Sequence, residues 1–300
     1  MLVTLASGAC WPLHAQTAAA LPARVVASFS ILADMARELA PAGTEVLSLV
    51  RPDADAHVFE PRPADGKRLA QAELVLVNGL GFEGWIDRLV KVSGFKGRLV
   101  VASQGVVVRG APHAQHGHGH RHGQGAVDPH AWQDLAHARL YIANLSAAFA
   151  QRWPAQQAEI DARRLDYLAR VDTLERRVRQ QLDAIPRQQR RVITSHDAFG
   201  YFGAAYGIDF LAPQGWATHS EPSAAAVAKL IRQIRQQGVK ALFVENISDP
   251  RLLQRIAQEG GAKIGGTLYS DALSAAGGPA ATYLKMIEHN ARTLSQALTG

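Results

Sequence analysis

Short apolar runs rich in Val, Leu and Ile alternate along the chain with longer segments in which apolar residues recur every three to four positions. Four of these runs precede residue 103 and four follow residue 190. Their continuous apolar character is typical of strands that are buried on both faces, as in a parallel sheet. The predicted strands cover residues 24–28, 45–50, 74–78, 98–102, 191–195, 209–212, 241–245 and 262–268.

The segments between these runs have the apolar spacing of helices. A helix start is also visible at Glu221-Pro222-Ser223, where Pro and a capping Ser precede a periodic segment. The alternation predicts an α/β fold of two lobes, each with a four-stranded, mainly parallel sheet flanked by helices. The predicted helices cover residues 31–39, 63–71, 81–92, 199–206, 223–237, 250–259 and 280–298.

The middle of the chain is helical throughout. A helix is predicted over 134–153, and Pro154 starts another, since Pro is well tolerated at the first helical position. No Gly or internal Pro interrupts the segment 154–185, so one rigid helix of roughly 45 Å is expected to join the two lobes. Its predicted buried stripe is Ile160, Leu165, Leu168, Val171, Leu174, Val178 and Leu182.

The predicted domain organisation follows from these elements. A signal peptide occupies 1–20, an N-terminal α/β lobe 21–153, the linking helix 154–185 and a C-terminal α/β lobe 186–300. The only cysteine, Cys10, lies in the signal peptide, so a mature chain without it has no disulfide and no thiolate metal site. We therefore expect a protein exported to the periplasm, without a lipid anchor.

Charge does not point to nucleic acid. The net charge is +6, and basic residues crowd the segment 163–191. Acidic residues such as Asp166 and Glu175 are interleaved among them, which is typical of the solvated face of a long helix. Hydrophobic residues make up 47% of the chain and charged residues 19%, as in soluble globular proteins.

A histidine-rich tract lies within 113–125. Five histidines spaced by Gly, Ala, Gln and Arg indicate metal binding, because neutral imidazole is a common ligand of divalent metals. The tract has no apolar residue to anchor a helix or strand, so we predict a loop that holds metal only loosely. A solvated spacer is the alternative. The auxiliary ligand candidates are His113, His116, His118, His120 and His122.

Stronger candidates follow the predicted strands, since ligands of open α/β sheets bind beyond the carboxyl ends of strands. Three histidines and one carboxylate occupy such positions, two in each lobe, and this set suits Zn²⁺ in a tetrahedral or five-coordinate site. A harder, oxygen-rich set would suit Mn²⁺ better. The four residues are His57, His130, His196 and Asp271.

Nearby acids could orient the imidazoles through their second nitrogen. The sequence leaves open which acid serves which histidine. The candidates are Glu60, Asp128, Asp197 and Glu245. Two other histidines, His137 and His219, are expected to be ordinary surface or loop residues.

Six ordered segments of the chain resemble the metal-binding solute receptors of bacterial ABC transporters for zinc and manganese. The resemblance implies two lobes joined by one long helix, with metal held in the cleft between them by His57, His130, His196 and Asp271. It also implies partnership with a membrane permease and its cytoplasmic ATPase. The segments are 55–61 (DAHVFEP), 78–85 (NGLGFEGW), 128–132 (DPHAW), 194–202 (TSHDAFGYF), 221–223 (EPS) and 269–271 (YSD).

Two features of this resemblance favour zinc. Zinc-specific members often carry a His-rich loop before the second ligand, and manganese members commonly have Glu where this chain has His196. Two departures keep manganese open, namely the absence of a cysteine in the second lobe and the carboxylate ligand Asp271, which manganese binders share.

We therefore predict a non-enzymatic, monomeric periplasmic zinc receptor that binds no nucleic acid and delivers Zn²⁺ to a permease. A periplasmic metallochaperone is a further candidate partner. The alternatives are a manganese receptor of the same family, a zinc hydrolase in which three histidines activate water, and a zinc buffer that works through the His-rich loop.

Overall fold

In the described part of the chain, eight strands form two parallel sheets of equivalent strand order. The computed structural model describes residues 23–110, 127–219 and 221–299. The first sheet has the order β2-β1-β3-β4 and the second β6-β5-β7-β8, with parallel pairing throughout. The strands are β1 (Arg24–Ala27), β2 (Glu45–Ser48), β3 (Leu74–Val77), β4 (Arg98–Val101), β5 (Arg191–Ile193), β6 (Asp209–Leu211), β7 (Ala241–Glu245) and β8 (Lys263–Leu268).

Helices flank both sheets, which confirms the predicted fold class. Ser223 caps α7 by accepting a hydrogen bond from the Ala226 amide, as its position in the sequence predicted. The helices are α1 (Ser30–Leu39), α2 (Pro63–Ala70), α3 (Ile86–Ser93), α4 (Leu135–Arg152), α5 (Gln157–Asp183), α6 (Gly200–Tyr206), α7 (Ala224–Gln237), α8 (Pro250–Gly260) and α9 (Tyr283–Thr299).

Two sequence predictions about helices were wrong in detail. Helix α3 begins at Ile86 rather than residue 81, because Gly79, Leu80 and Gly81 all have positive φ and cannot continue a right-handed helix. On α5, Leu165 is 59% exposed and Tyr167 is buried in its place. Residue 165 lies roughly 140° around the helix from Ile160, whereas residue 167 lies on the same face.

Alternate residues of the strands face different cores. On β1, Val26 points to an outer core formed with α2 and α3, while Val25 and Ala27 point to a central core. The second sheet has its own outer core, to which Ile193 and Leu242 contribute. The central core is continuous from the first sheet through α1, α4, α5 and α9 to the second sheet, so the two lobes share one apolar interior.

Helix α5 packs on both halves of the molecule. It contacts α1 and α4 on one side and α6 and α9 on the other. A short 3₁₀ turn, Pro154–Gln156, precedes it. In the described part of the chain, no helix is both long and apolar enough to cross a membrane.

Candidate metal centre

The four candidate ligands converge between the two sheets. His57 lies in the loop after β2, His130 after β4, His196 after β5 and Asp271 after β8. One ligand atom from each lies within 4.8 Å of the others. The loops meet because carboxyl ends of parallel strands lie on one edge of each sheet, and these two edges face each other.

Asp271 is the centre of this cluster. Its Oδ2 lies 3.2 Å from His57 Nε2 and 3.1 Å from His196 Nε2, and its Oδ1 lies 3.5 Å from His130 Nε2. Ligand atoms about 2.1 Å from a tetrahedral Zn²⁺ are roughly 3.4 Å apart, so these separations are those of the edges of a coordination polyhedron. Because both Asp271 oxygens face imidazoles, the carboxylate can also offer two oxygens to a five-coordinate ion.

The cluster is sealed from solvent, and all four residues are 6% exposed or less. The three Nε2 atoms and both Asp271 oxygens are buried without a hydrogen-bond partner. Buried polar atoms without hydrogen bonds are costly, and several converging on one point indicate a cation-binding site. The donor set, three nitrogens and a carboxylate, is one that Zn²⁺ accepts.

Two of the histidines are braced in the same way. The Asp128 carboxylate oxygen Oδ1 lies 2.8 Å from His130 Nδ1 and also accepts the His130 backbone amide at 2.9 Å. Glu245 places Oε2 2.6 Å from His196 Nδ1 and accepts the His196 amide at 2.8 Å through Oε1. Each acid therefore fixes both the backbone and the ring, and directs Nε2 towards Asp271.

Electrostatics differ among the three histidines. Burial alone lowers the pKa of His130, but Asp271 and Asp128 outweigh it and raise the pKa to about 9. For His196, burial is outweighed by Glu245 and Asp271, and the pKa lies well above its ordinary value. Burial dominates at His57 and lowers its pKa despite the contact with Asp271. Burial raises the pKa of Asp271, yet His130 and His196 together hold it well below the usual range.

His57 is held by its loop rather than by an acid on its ring. Its only ion pair among the described residues is the one with Asp271. The ring packs edge-on against Phe82, with centroids 4.7 Å apart. Asp55 accepts the His57 backbone amide at 2.8 Å, and Trp85 Nε1 donates to the Ala56 carbonyl at 2.8 Å.

Asp271 is positioned from the opposite lobe. Trp132 Nε1 and Gln133 Nε2 both donate to the carbonyl of Ser270, at 2.9 and 2.8 Å. Trp132 and Gln133 lie in a short 3₁₀ turn, Ala131–Gln133, that directly follows His130. The segment that presents one ligand therefore also fixes the backbone beside another.

The glycine-rich segment 78–85 supports the His130 loop. Asn78 Nδ2 donates to the Pro129 carbonyl at 2.9 Å, and the buried Glu83 carboxylate accepts the Asn78 amide at 2.6 Å. The positive φ of Gly79 and Gly81 produces a tight turn here.

Other predicted residues have different places. His113, His116, His118, His120 and His122 lie outside the described residues. Of the four candidate orienting acids, Asp128 and Glu245 contact ligand rings, whereas Glu60 is exposed. His219 is exposed, but its ring centroid lies 6.2 Å from that of His57, so it flanks the site. His137 is half-buried on α4, with its ring edge-on to Tyr201.

Sequence reasoning missed residues that act through the backbone. Gln133 follows a quoted motif and Asp55 begins another, but nothing in their type or spacing marked their hydrogen bonds. Gly200 was also missed: a Cβ there would lie 2.5 Å from Asp128 Oδ2, so Gly allows α6 to begin against the acid that braces His130.

Comparison with known proteins gives the same picture. The profile of the family described as zinc-uptake complex component A, periplasmic, matches residues 25–297. The zinc-binding protein TroA of Treponema pallidum is 31% identical over 281 residues, which cover 91% of this chain and 88% of that protein. The manganese-binding lipoprotein MntA of Halalkalibacterium halodurans is 28% identical over 276 residues, covering 92% and 88%.

The fold is shared with a solved relative. The structure of the periplasmic zinc binding protein TroA from Treponema pallidum matches with a TM-score of 0.84 at 28% identity, over 92% of this chain and 99% of that one. The family profile spans both sheets and all four converging residues. The chain therefore belongs to the zinc-uptake complex component A family of metal-binding receptors, the solute-binding components of ABC transporters.

Proposed function

We propose that this protein is a periplasmic, high-affinity zinc receptor that captures Zn²⁺ between its lobes and delivers it to a membrane permease driven by a cytoplasmic ATPase. The proposed ligands are His57, His130, His196 and Asp271. The observation that carries the proposal is the convergence of three buried Nε2 atoms, none of which forms a hydrogen bond, on both oxygens of one buried carboxylate.

The donor set supports zinc over manganese. Imidazole nitrogen suits Zn²⁺, whereas Mn²⁺ is weaker in the general affinity order and prefers oxygen. Manganese remains the alternative, since a relative at 28% identity is named manganese-binding and Asp271 can offer two oxygens. Competition titration of metal-free protein with both ions distinguishes them. We expect Zn²⁺ to displace Mn²⁺, and a preference for Mn²⁺ would reassign the cargo.

A receptor role fits the burial of the site better than hydrolysis does. A zinc hydrolase keeps an open coordination position beside a substrate pocket. In the proposed site Asp271 supplies the fourth ligand, and the four side chains are at most 6% exposed. Zinc-loaded protein should therefore show no turnover of ester substrates, and measurable turnover would favour the hydrolase.

The His-rich tract is proposed as an accessory that gathers zinc near the site. Deleting residues 113–122 should remove weak binding and leave one tight Zn²⁺ per chain in calorimetry. Replacing His130 with Ala should instead abolish tight binding. If the deletion removes the tight site, the zinc-buffer function replaces the receptor function.

We further propose export by the segment 1–20, lobes at 21–153 and 186–300, and a linking segment at 154–185, in a monomer that a metallochaperone can load. A relative named as a lipoprotein argues against our expectation of no lipid anchor, with Cys10 as the acceptor. Mass spectrometry of the mature protein from its own cells separates cleavage near residue 20 from acylation at Cys10.

A further inference from the structure

The loop that carries His57 is tied to the opposite lobe by two acidic side chains. Asp53 accepts hydrogen bonds from Asn246 Nδ2 and from the Ala275 amide, both at 3.0 Å, and its own amide donates to the Leu273 carbonyl at 2.9 Å. These three partners follow β7 and β8, so they belong to the second half of the molecule.

Asp55 forms the second tie. Its Oδ2 accepts the Thr218 hydroxyl at 2.5 Å, and its Oδ1 accepts the His57 amide at 2.8 Å. Thr218 lies in the loop between β6 and α7. One carboxylate thus links the backbone of a proposed metal ligand directly to the opposite lobe.

The backbone at Asp53 shows that these contacts hold the loop in a special conformation. Asp53 has a φ of 54°, one of two positive-φ positions other than glycine among the described residues. Asp tolerates this left-handed conformation because its short side chain forms local polar contacts, but it still persists only where surrounding interactions select it. Here the selecting interactions are those with the second lobe.

The loop that carries His57 is the part of the site that can open most easily. His130 and His196 are each braced by an acid of their own lobe, and the lobes share a continuous apolar core that opposes a wide hinge. The ligands are buried, whereas Arg51, Pro52 and Asp53 are exposed. A binding partner can therefore contact the exposed residues that hydrogen-bond to the second lobe before it can contact the metal.

We infer that Asp53 and Asp55 form a clasp that holds His57 closed over the bound ion, and that opening this clasp sets the rate of metal release. The inference rests on the proposed function. Asp53 and Asp55 act as positioning residues that need not touch the ion. Breaking the clasp should raise the dissociation rate and leave the association rate nearly unchanged, since interactions within a closed site mainly affect dissociation.

The test is stopped-flow release of Zn²⁺ from the full chain into excess chelator. Asp53→Gly removes the carboxylate without creating backbone strain, because Gly accepts positive φ. Thr218→Val removes only the hydroxyl that crosses between lobes and leaves the contact of Asp55 with His57 intact. Each lost hydrogen bond should speed release by roughly two- to tenfold, and the double variant by more than tenfold.

Matched variants distinguish the loss of contacts that position His57 from a general loss of protein stability. Thr218→Ser restores the hydroxyl and should restore slow release. Asp87→Asn removes an exposed charge elsewhere on the first lobe and should release Zn²⁺ at the wild-type rate. The melting temperature of the metal-free protein should change little in all of them, whereas a purely structural role would lower it without changing the release rate.

The outcomes distinguish the two proposals. If wild-type protein fails to bind Zn²⁺ tightly, the proposed function fails. If wild-type protein binds tightly and the double variant releases Zn²⁺ within twofold of the wild-type rate, only the clasp is overturned.

Discussion

His130 and His196 are held differently from His57, although all three point at the same carboxylate. A buried acid fixes both the ring and the backbone amide of each of the first two. Among the described residues, the only acid on the His57 ring is Asp271 itself, so His57 depends on a loop, an aromatic neighbour and contacts with the opposite lobe. From this difference we expect the braced pair to contribute more to Zn²⁺ affinity and the loop-held histidine to limit access to the site.

The largest expected effect comes from removing the group that both kinds of histidine share. Asp271→Asn should weaken Zn²⁺ binding by about 3 to 5 kcal/mol, which is roughly 150- to 4,000-fold, because it breaks a buried ionic cluster. Competition with a fluorescent chelator measures the loss, and circular dichroism checks the fold. A folded Asp271→Asn protein that binds within tenfold of wild type would show that Asp271 is not a ligand.

Lowering the pH should weaken binding through the braced pair rather than through His57. In metal-free protein the raised pKa values of His130, about 9, and His196 keep both protonated at neutral pH, while the pKa of His57 is lowered. Zn²⁺ must displace these protons, so affinity should fall about tenfold per pH unit for each proton released.

Calorimetry in buffers of different ionisation enthalpy measures how many protons are released when Zn²⁺ binds. We expect about two at pH 7. The raised pKa of His130 also stabilises the metal-free fold below about pH 6.5, and this contribution is lost as the pH rises through about 9. A proton count of zero would mean that the braced histidines are already neutral.

Removing one brace should have a smaller effect than removing Asp271. Glu245→Gln keeps the size of the side chain but loses the charge that orients His196, and Asp128→Asn does the same for His130. Loss of such an orienting acid typically weakens metal binding about 10- to 100-fold. Isothermal titration measures the Zn²⁺ affinity of both variants. If both bind Zn²⁺ as tightly as the wild type, these acids do not support His196 and His130 any better than the loop supports His57.

The smallest effect is expected at the aromatic support of the loop-held ligand. Phe82 is buried and packs edge-on against the His57 ring. Phe82→Leu removes this aromatic contact, which is worth about 0.5 to 1.5 kcal/mol, so Zn²⁺ affinity should fall about two- to tenfold. A loss as large as that of Glu245→Gln would place Phe82 among the principal supports of the site.

The strands and the four converging residues could be predicted because their signals are local. Runs of β-branched residues mark the strands, and the site residues follow strand ends. The start of α3 could not be predicted, since Leu80 adopts positive φ in a segment whose apolar pattern suits a helix. Leu165 was misplaced because a helical stripe of loose spacing tolerates more than one phase.

The pairing of acids with histidines shows why the long-range contacts of the site could not be predicted from the sequence. Asp128 is two residues from His130, whereas Glu245 is 49 residues from His196 and meets it only because β5 and β7 are neighbours. The contact of Asp55 with Thr218 spans 163 residues. Such pairs depend on strand order and loop paths, which periodicity does not encode.

The apolar core that runs through both sheets also governs folding. Val25 on β1 and Phe243 on β7 belong to one continuous buried cluster. Either half expressed alone would therefore expose part of its apolar core to water. The molecule should unfold in a single cooperative transition despite its two sheets. A bound ion would then protect both sheets against heat and proteolysis, so the metal-loaded protein should resist both better than the empty protein does.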